Sequence, residues 1–397
     1  VRILLVSQDN SQQVQLGGKH IHQNILIEAW LAAGHEVKCA FPARNPLKLS
    51  VAQRVVYRLS RRWGRYPARY FARYLKLIRE SLKVSLRQLL ADWRPDVITA
   101  QDPMAAVACA QVLDELNLAK RPPITLTLHG YYTWEMFNYG YYGEQNRSAI
   151  EATGFALERE ALARVGRIIT VDSRIRDYLR NQFGYPGRLD VVFNAINLAP
   201  FENAPARDGR PPDTWRLLIT RRMVLKNGVI VAVEALAEAL RQAGNIRLVM
   251  VGDGPELDNV RQRARSLGVE AAIEFVGAVN HREVPQYYLQ ADILLMPSIP
   301  SDGIEEATSL SMLEGMAAGN QVICSAIGGM KEIVRHGKNG FLVPPADPVA
   351  LASQILAIVQ ADEVARKGVI DQARQYVWAN HAGEQHAMRV LSLMVDA

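Results

Sequence analysis

The chain has 397 residues, 49% of them apolar and 22% charged, with 46 Lys and Arg against 40 Asp and Glu. That length calls for two or three domains, each with its own core, and the apolar fraction excludes a disordered chain. Cys39, Cys109 and Cys324 are too few and too far apart for a disulfide scaffold or a zinc cluster, and no stretch reaches the ~20 apolar residues of a membrane span. The apolar run at the start turns polar at Gln8, which argues against a signal peptide and for a reducing, cytoplasmic compartment.

Short β-branched runs alternate with longer helical patterns, as in parallel sheets covered by helices on both faces. The first half offers strands at 2–7, 36–40, 97–100, 124–128, 167–171 and 189–193. Gly17 and Gly18 open a helix that stops at Gly34-His35. Glycine there lets a backbone approach a ligand, though a plain turn explains it equally well. His22, inside this helix, reads as a packing residue or a contact on the acceptor side.

Between 44 and 88 thirteen Lys and Arg stand against one acid, Glu80, so this segment carries +12 and the remainder about −6. The cations recur at helical spacing opposite Val56, Leu59, Trp63, Tyr70, Tyr74, Leu77 and Ile78, with a break at Gly64 and Pro67. Such an insertion reads as a surface for anionic lipid or a lipid-linked phosphate. The plainer reading is a solvated face whose apolar side packs on its own domain, and no nucleic-acid module is recognisable. His129-Gly130 follow the strand at 124–128. A lone His is usually structural, but a strand's carboxyl end is where catalytic or binding groups gather.

The stretch 201–214, rich in Pro and Gly, reads as a linker between domains at 1–200 and 215–375. A last segment, 376–397, reads as a helix returning to the first domain. Strands are expected at 216–220, 246–251, 272–276, 293–296, 321–324 and 340–343, so the whole is α/β, two doubly wound domains with a cleft between their strand ends. After the first of these strands Arg222 and Lys226 can neutralise a diphosphate, or simply be solvated. Gly252-Asp253-Gly254 make a turn that lacks the spacing of a phosphate loop. Ser309 is a good N-cap for a helix 310–318, with Gly319 at its end. Its first turn offers N–H groups for a phosphate, and the acceptor-only carboxylates of Glu306 and Glu314 suit sugar hydroxyls. An ordinary capped surface helix is the competing explanation.

In this order, Gly17-Gly18 with Gly34-His35, His129-Gly130, Asn194-Ala195, Arg222 with Lys226, Gly252-Asp-Gly-Pro255, Pro297-Ser298, Glu306 with Glu314, Gly328-Gly329 and Asn339-Gly340 resemble the family-four retaining glycosyltransferases. The resemblance covers almost the whole chain and implies the GT-B fold, with two Rossmann-like domains. It implies a nucleotide-diphosphate sugar, a UDP-sugar favoured, held by the second domain, and a glycan or lipid-linked acceptor held by the first. By the same pattern Arg222 and Lys226 neutralise the diphosphate with no metal or other cofactor, and Glu306 contacts the donor sugar. The backbone of Thr308, Ser309 and Leu310 meets sugar and phosphate, Glu314 takes the ribose and Val279 lies by the base. His129 stands near the reacting carbon, and Gly17 and Gly18 pass close to the diphosphate.

The pattern has departures: Gln101 where many relatives have His, Ala195 for Gly, Asn197 for Asp, Gln321 for Pro, and Ala307-Thr-Ser309 in place of a glycine-rich loop. The pair Arg221-Arg222 leaves the register of the phosphate-binding residues open by one position. The expected activity is a retaining transfer that builds a surface polysaccharide or glycolipid, peripheral on the inner face of the membrane through 44–88. Alternatives are a soluble transferase with a sugar phosphate or inositol acceptor, and an inactive scaffold subunit.

Overall fold

The computed structural model describes residues 1–10, 17–43, 68–138, 146–203, 213–301 and 305–397. The chain divides into two units, Val1–Phe193 with Glu384–Ala397, and Asn194–Gly383.

Unit 1 runs β1 (Arg2–Val6), α1 (Gly18–Ala32), β2 (Glu36–Ala40), α2 (Ala68–Asp92), β3 (Val97–Ala100), α3 (Pro103–Leu116), β4 (Ile124–Leu128), α4 (Tyr132–Asn138), α5 (Arg147–Leu162), β5 (Arg167–Thr170), α6 (Ser173–Phe183) and β6 (Arg188–Val191). Its parallel sheet has the order β2-β1-β3-β4-β5-β6. The central strands β3, β4 and β5 are buried throughout, as strands covered on both faces must be, whereas the edge strands β2 and β6 carry exposed Glu36, Lys38 and Arg188.

Unit 2 continues with α7 (Ala199–Glu202), β7 (Trp215–Thr220), α8 (Val229–Leu240), β8 (Ile246–Val251), α9 (Leu257–Ser266), β9 (Ile273–Gly277), α10 (Val284–Gln290), β10 (Ile293–Met296), α11 (Leu310–Ala318), β11 (Gln321–Ser325), α12 (Met330–Ile333), β12 (Phe341–Val343), α13 (Pro348–Gln360) and α14 (Glu363–Asn380). Its sheet order is β12-β11-β10-β7-β8-β9, again with every pair parallel. Each of the twelve strand runs read from the sequence is a strand, to within two residues at its ends. In both sheets the chain winds one way from the first strand and then restarts on its other side. The reversal lies between β1 and β3 in unit 1, and between β7 and β10 in unit 2. At such a point the loops leaving neighbouring strands diverge and open a crevice at their carboxyl ends.

The chain crosses between units at 193/194 and 383/384, not at 200 and 376. Helix α14 stays with unit 2, where Arg366 lies 5.5 Å over the Trp215 ring and its carbonyl accepts from Gln321 Nε2 at 2.8 Å. Only then does α15 (Gly383–Val395) begin, so 376–397 is not one helix. The short segment between the helices is taken up by a bridge, Ile196 to Ala382. Ala387, Val390, Leu391 and Met394 of α15 bury themselves against Ile3, Leu5, Leu26 and Trp30, and Trp30 Nε1 donates to Ala387 O at 2.8 Å. At roughly 1.5 to 3 kcal/mol for each large apolar side chain buried, this helix is integral to the core of unit 1.

The basic segment lies partly outside the described residues, which resume at 68. In α2 the buried stripe is Phe71, Leu75, Ile78, Leu82, Leu86 and Leu90, spaced by three or four. Leu77, expected on that side, is 45% exposed, because the stripe is set by Phe71, Leu75 and Ile78, and Tyr74 is only half-buried. Lys83 and Arg87 bind Glu115 of α3 at 2.8 Å each, which offsets part of their charge, although Arg87 stays exposed. Among the described residues no single helix is long and apolar enough to cross a membrane.

Candidate active site

In unit 2 the reversal between β7 and β10 gathers most of the predicted site. Thr220 ends β7, and the next residue, Arg221, is turned inward and buried. Its guanidinium donates to Ser298, just beyond β10, and lies 3.0 Å from Glu306 Oε2. Lys226 Nζ stands 4.0 Å from the same oxygen. Arg222, named from the sequence, is exposed, and its carbonyl accepts from Asn227 Nδ2 at 2.6 Å. Side chains alternate at the strand end, and Arg221 is the one of the pair that points into the crevice. Two cations against one carboxylate leave a surplus of positive charge here.

Glycines hold this crevice together. Gly228 adopts φ 60°, and a Cβ there would lie 1.9 Å from Pro297 O, so only glycine lets the β7 and β10 loops touch. Gly252 and Gly254 press in the same way on Arg221 O and Met223 O. Their role is to pack the loop that carries Arg221, which accounts for a glycine turn without phosphate-loop spacing.

The segment before α11 is pinned from three sides. Gly329 N donates to Glu306 O at 3.0 Å, Gly328 N to Glu305 Oε2 at 2.7 Å, and Asn194 Nδ2 to Thr308 O at 3.2 Å. Thr308, Ser309 and Leu310 are buried, and Gly319 closes the helix at φ 83°. Ser309 occupies the N-cap position but its side chain makes no capping hydrogen bond. One turn inside, Glu314 is buried and accepts from the Tyr288 hydroxyl at 2.9 Å, while His281 Nε2 lies 4.0 Å from its other oxygen. Burial pushes the Glu314 carboxyl up to about 7, with the Tyr288 hydrogen bond opposing. Val279 is half-buried in the loop after β9, two residues before His281. Sequence reasoning raised Arg221 and Ser298 only within the pairs Arg221-Arg222 and Pro297-Ser298, and it did not single out Tyr288 or His281. Tyr288 looks like any aromatic on a buried helix face.

In unit 1 the crevice between β1 and β3 holds a polar network. Asp102 caps α3, accepting from Ala105 N at 2.8 Å, and its other oxygen accepts from Ser7 Oγ, Gln8 N and Lys19 Nζ. Lys19 also binds Asp9 at 2.9 Å. Burial opposes the Lys19 charge, but Asp102 and Asp9 outweigh it and raise its pKa. Gly17, the N-cap of α1 at φ 106°, has open space where a Cβ would be, so the left-handed backbone rather than crowding selects glycine; Gly18 is the first helical residue. His129 Nε2 lies 3.0 Å from Gln101 Oε1, and the Gln101 amide donates to Thr99 Oγ1 at 2.7 Å. With the amide so placed, Nε2 carries the proton and Nδ1 is left as an acceptor. Burial first, then Lys19, His386 and His20, hold His129 down to about 3, so it stays neutral. His22 is 1% exposed and meets the His129 ring edge-on at 4.8 Å, which makes it a packing partner.

Residues 16–200 match the model for Glycosyltransferase Family 4, and residues 200–376 the model for Glycosyl transferases group 1. The chain belongs to the family 4, group 1 glycosyltransferases. It is 28% identical over 387 residues to the glycogen synthase of Mycobacterium tuberculosis, covering 92% of this chain and 88% of that one. Over 148 residues, 37% of this chain and 36% of its relative, it is 30% identical to the amylovoran biosynthesis glycosyltransferase AmsK of Erwinia amylovora. Several other curated relatives are matched over about half their length, from 47% to 58%, and one over 20%. Among solved structures the Anabaena HepE complex with UDP superposes with a TM-score of 0.71 at 16% identity, covering all of both chains. The fold is therefore that of GT-B glycosyltransferases, two parallel-sheet Rossmann-like domains.

Proposed function

We propose that this glycosyltransferase moves a sugar from a nucleotide-diphosphate donor, with UDP favoured, to an acceptor hydroxyl with retention and without a metal. Unit 2 serves the donor and unit 1 the acceptor. The observation that carries this is the buried Arg221 beside Glu306 and Lys226 at the strand reversal of unit 2. As the bond from sugar to phosphate breaks, negative charge grows on the diphosphate. Arg221, Lys226 and the first N–H groups of α11 are cationic or dipolar groups already fixed in place to meet it. Glu306 takes sugar hydroxyls and Glu314 the ribose, each as an acceptor. Attack on the face the phosphate leaves, with a phosphate oxygen receiving the acceptor proton, retains the configuration. Neutral His129 offers Nδ1 to a hydroxyl and is too weak a base to take its proton.

The acceptor is a glycan or a lipid-linked sugar of a surface polysaccharide, a reading supported by the AmsK relationship. It places the enzyme peripherally on the cytoplasmic face of the membrane, with the basic segment as contact. Donor turnover tests the core of the proposal. The purified chain hydrolyses or transfers from one of the UDP, GDP or ADP sugars, and Glu306→Ala lowers kcat/KM by about a hundredfold or more. Nucleotide sugars that neither bind nor react would instead identify an inactive scaffold.

A further inference from the structure

Tyr288 is wholly buried, yet its hydroxyl is hydrogen-bonded to side chains of β7 and α11. It lies 2.9 Å from Glu314 Oε2 and 2.6 Å from Thr220 Oγ1. The phenol has one proton, and a carboxylate can only accept, so that proton goes to Glu314 and the Thr220 hydroxyl donates to the phenol oxygen. Three side chains from β7, α10 and α11 thus form one directed chain, from Thr220 to Tyr288 to Glu314. The main chain of Tyr288 is fixed as well. Asn320, 1% exposed and just past α11, donates to the carbonyls of Tyr288 and Ala291 at 2.8 and 2.6 Å. Ser311 Oγ holds Thr220 O at 3.1 Å.

We infer that Tyr288 is a positioning residue for donor recognition, holding Glu314 ionised and aiming its Oε1 at the nucleotide ribose. The inference rests on the ribose role proposed for Glu314. One oxygen of the carboxylate is committed to the phenol and the other faces His281, which leaves a single acceptor direction for a ribose hydroxyl. The titratable groups facing Glu314 among the described residues are Tyr288 of α10 and His281 of the turn 281–283. Thr220 of β7 and Ser311 of α11 bring hydroxyls that do not titrate. His281 is lowered by burial and brings no charge at neutral pH. Among the described residues Glu314 therefore has no cation to hold it ionised and depends on the phenol, whose loss raises its pKa further.

The test is UDP binding by calorimetry to the full chain, from about pH 5.5 to about pH 9, for the wild type, Tyr288→Phe, Thr220→Val and Glu314→Gln. Titration of the UDP phosphate is common to all four and cancels between them. In the wild type UDP affinity falls on the acid side of about pH 7. In Tyr288→Phe the inflection moves up by about one unit, so that binding is roughly fivefold weaker at neutral pH and regained at high pH. Thr220→Val shifts it the same way by less, and carries the test alone should Tyr288→Phe not fold. Glu314→Gln removes the share of the inflection that belongs to the carboxyl and leaves only the phosphate titration common to all four. Wild-type and Tyr288→Phe profiles that superimpose, or a Glu314→Gln profile with the same shape as that of the wild type, would overturn the inference while leaving donor binding by unit 2 intact. Failure of the wild type to bind UDP, GDP or ADP at any pH removes the donor reading itself, and this inference with it.

Discussion

Arg221 and Arg222 are adjacent, identical in chemistry and opposite in fate. One ion-pairs with Glu306 in a buried crevice while the other is exposed to solvent. Their exchange for alanine therefore separates two roles that a sequence motif merges. Arg221→Ala removes the buried cation that the proposed function sets against the leaving diphosphate, and is expected to lower kcat/KM by roughly a hundred- to a thousandfold. Arg222→Ala changes it by less than about threefold, because an exposed, screened cation contributes little. Steady-state kinetics on the two variants check this, and equal losses would mean that the ion pair is not how the site binds phosphate. The sequence identified the region and the residue types, since a basic pair after a strand is legible. It did not identify which of the pair faces inward, because that depends on a one-residue register. Tyr288 was hidden for a different reason: a buried phenol reads as core until its hydroxyl's partners, Thr220 and Glu314, are brought together by folding.

Among the elements, strands were legible almost to the residue, because buried parallel strands are unbroken apolar runs such as Ile293–Met296 and turn signals bound them. Helix limits were less so. The break between α14 and α15 falls at His381-Ala382, where a bridge to Ile196 interrupts two helical patterns that join smoothly in sequence. Helix α2 shows how tertiary contacts redistribute charge. Lys83 and Arg87 are tied to Glu115, leaving exposed Arg73 and Lys76 beside exposed Leu77 as the outward basic surface. If α2 meets anionic lipid, charge reversal at Arg73 and Lys76 halves or more the fraction of protein floating with phosphatidylserine vesicles, whereas reversal at Lys83 has much less effect. Equal flotation of all variants, or none of the wild type, would remove α2 from the membrane contact.

For the molecule as a whole, the buried titratable groups oppose one another. His129 is held down to about 3 from an ordinary 6.5, so the unfolded chain binds the extra proton and unit 1 loses stability as pH falls below about 6.5. Glu158, buried among Thr133 and Tyr178 and pushed up to about 7 from 4.5, acts in the other direction. There the folded state holds the extra proton, and stability is lost as pH rises from about 4.5 to about 7. The two slopes cancel between about 4.5 and 6.5, and the Tm of unit 1 forms a mildly acidic plateau. Glu158→Gln removes one slope and moves the maximum to neutral pH and above. Thermal unfolding across pH reads this directly, and an unchanged profile would show that Glu158 does not titrate in that window.

The division of the chain bears on how the protein is made. Unit 2 is one uninterrupted stretch, 194–383, whose two ends are bridged to each other at Ile196 and Ala382. Unit 1 is split, and Ile3, Leu5 and Trp30 have no complete core until 384–397 has been synthesised. The order of emergence from the ribosome is thus reversed in folding. Unit 1 is finished last, while unit 2, inserted within it, can close first as a self-contained module.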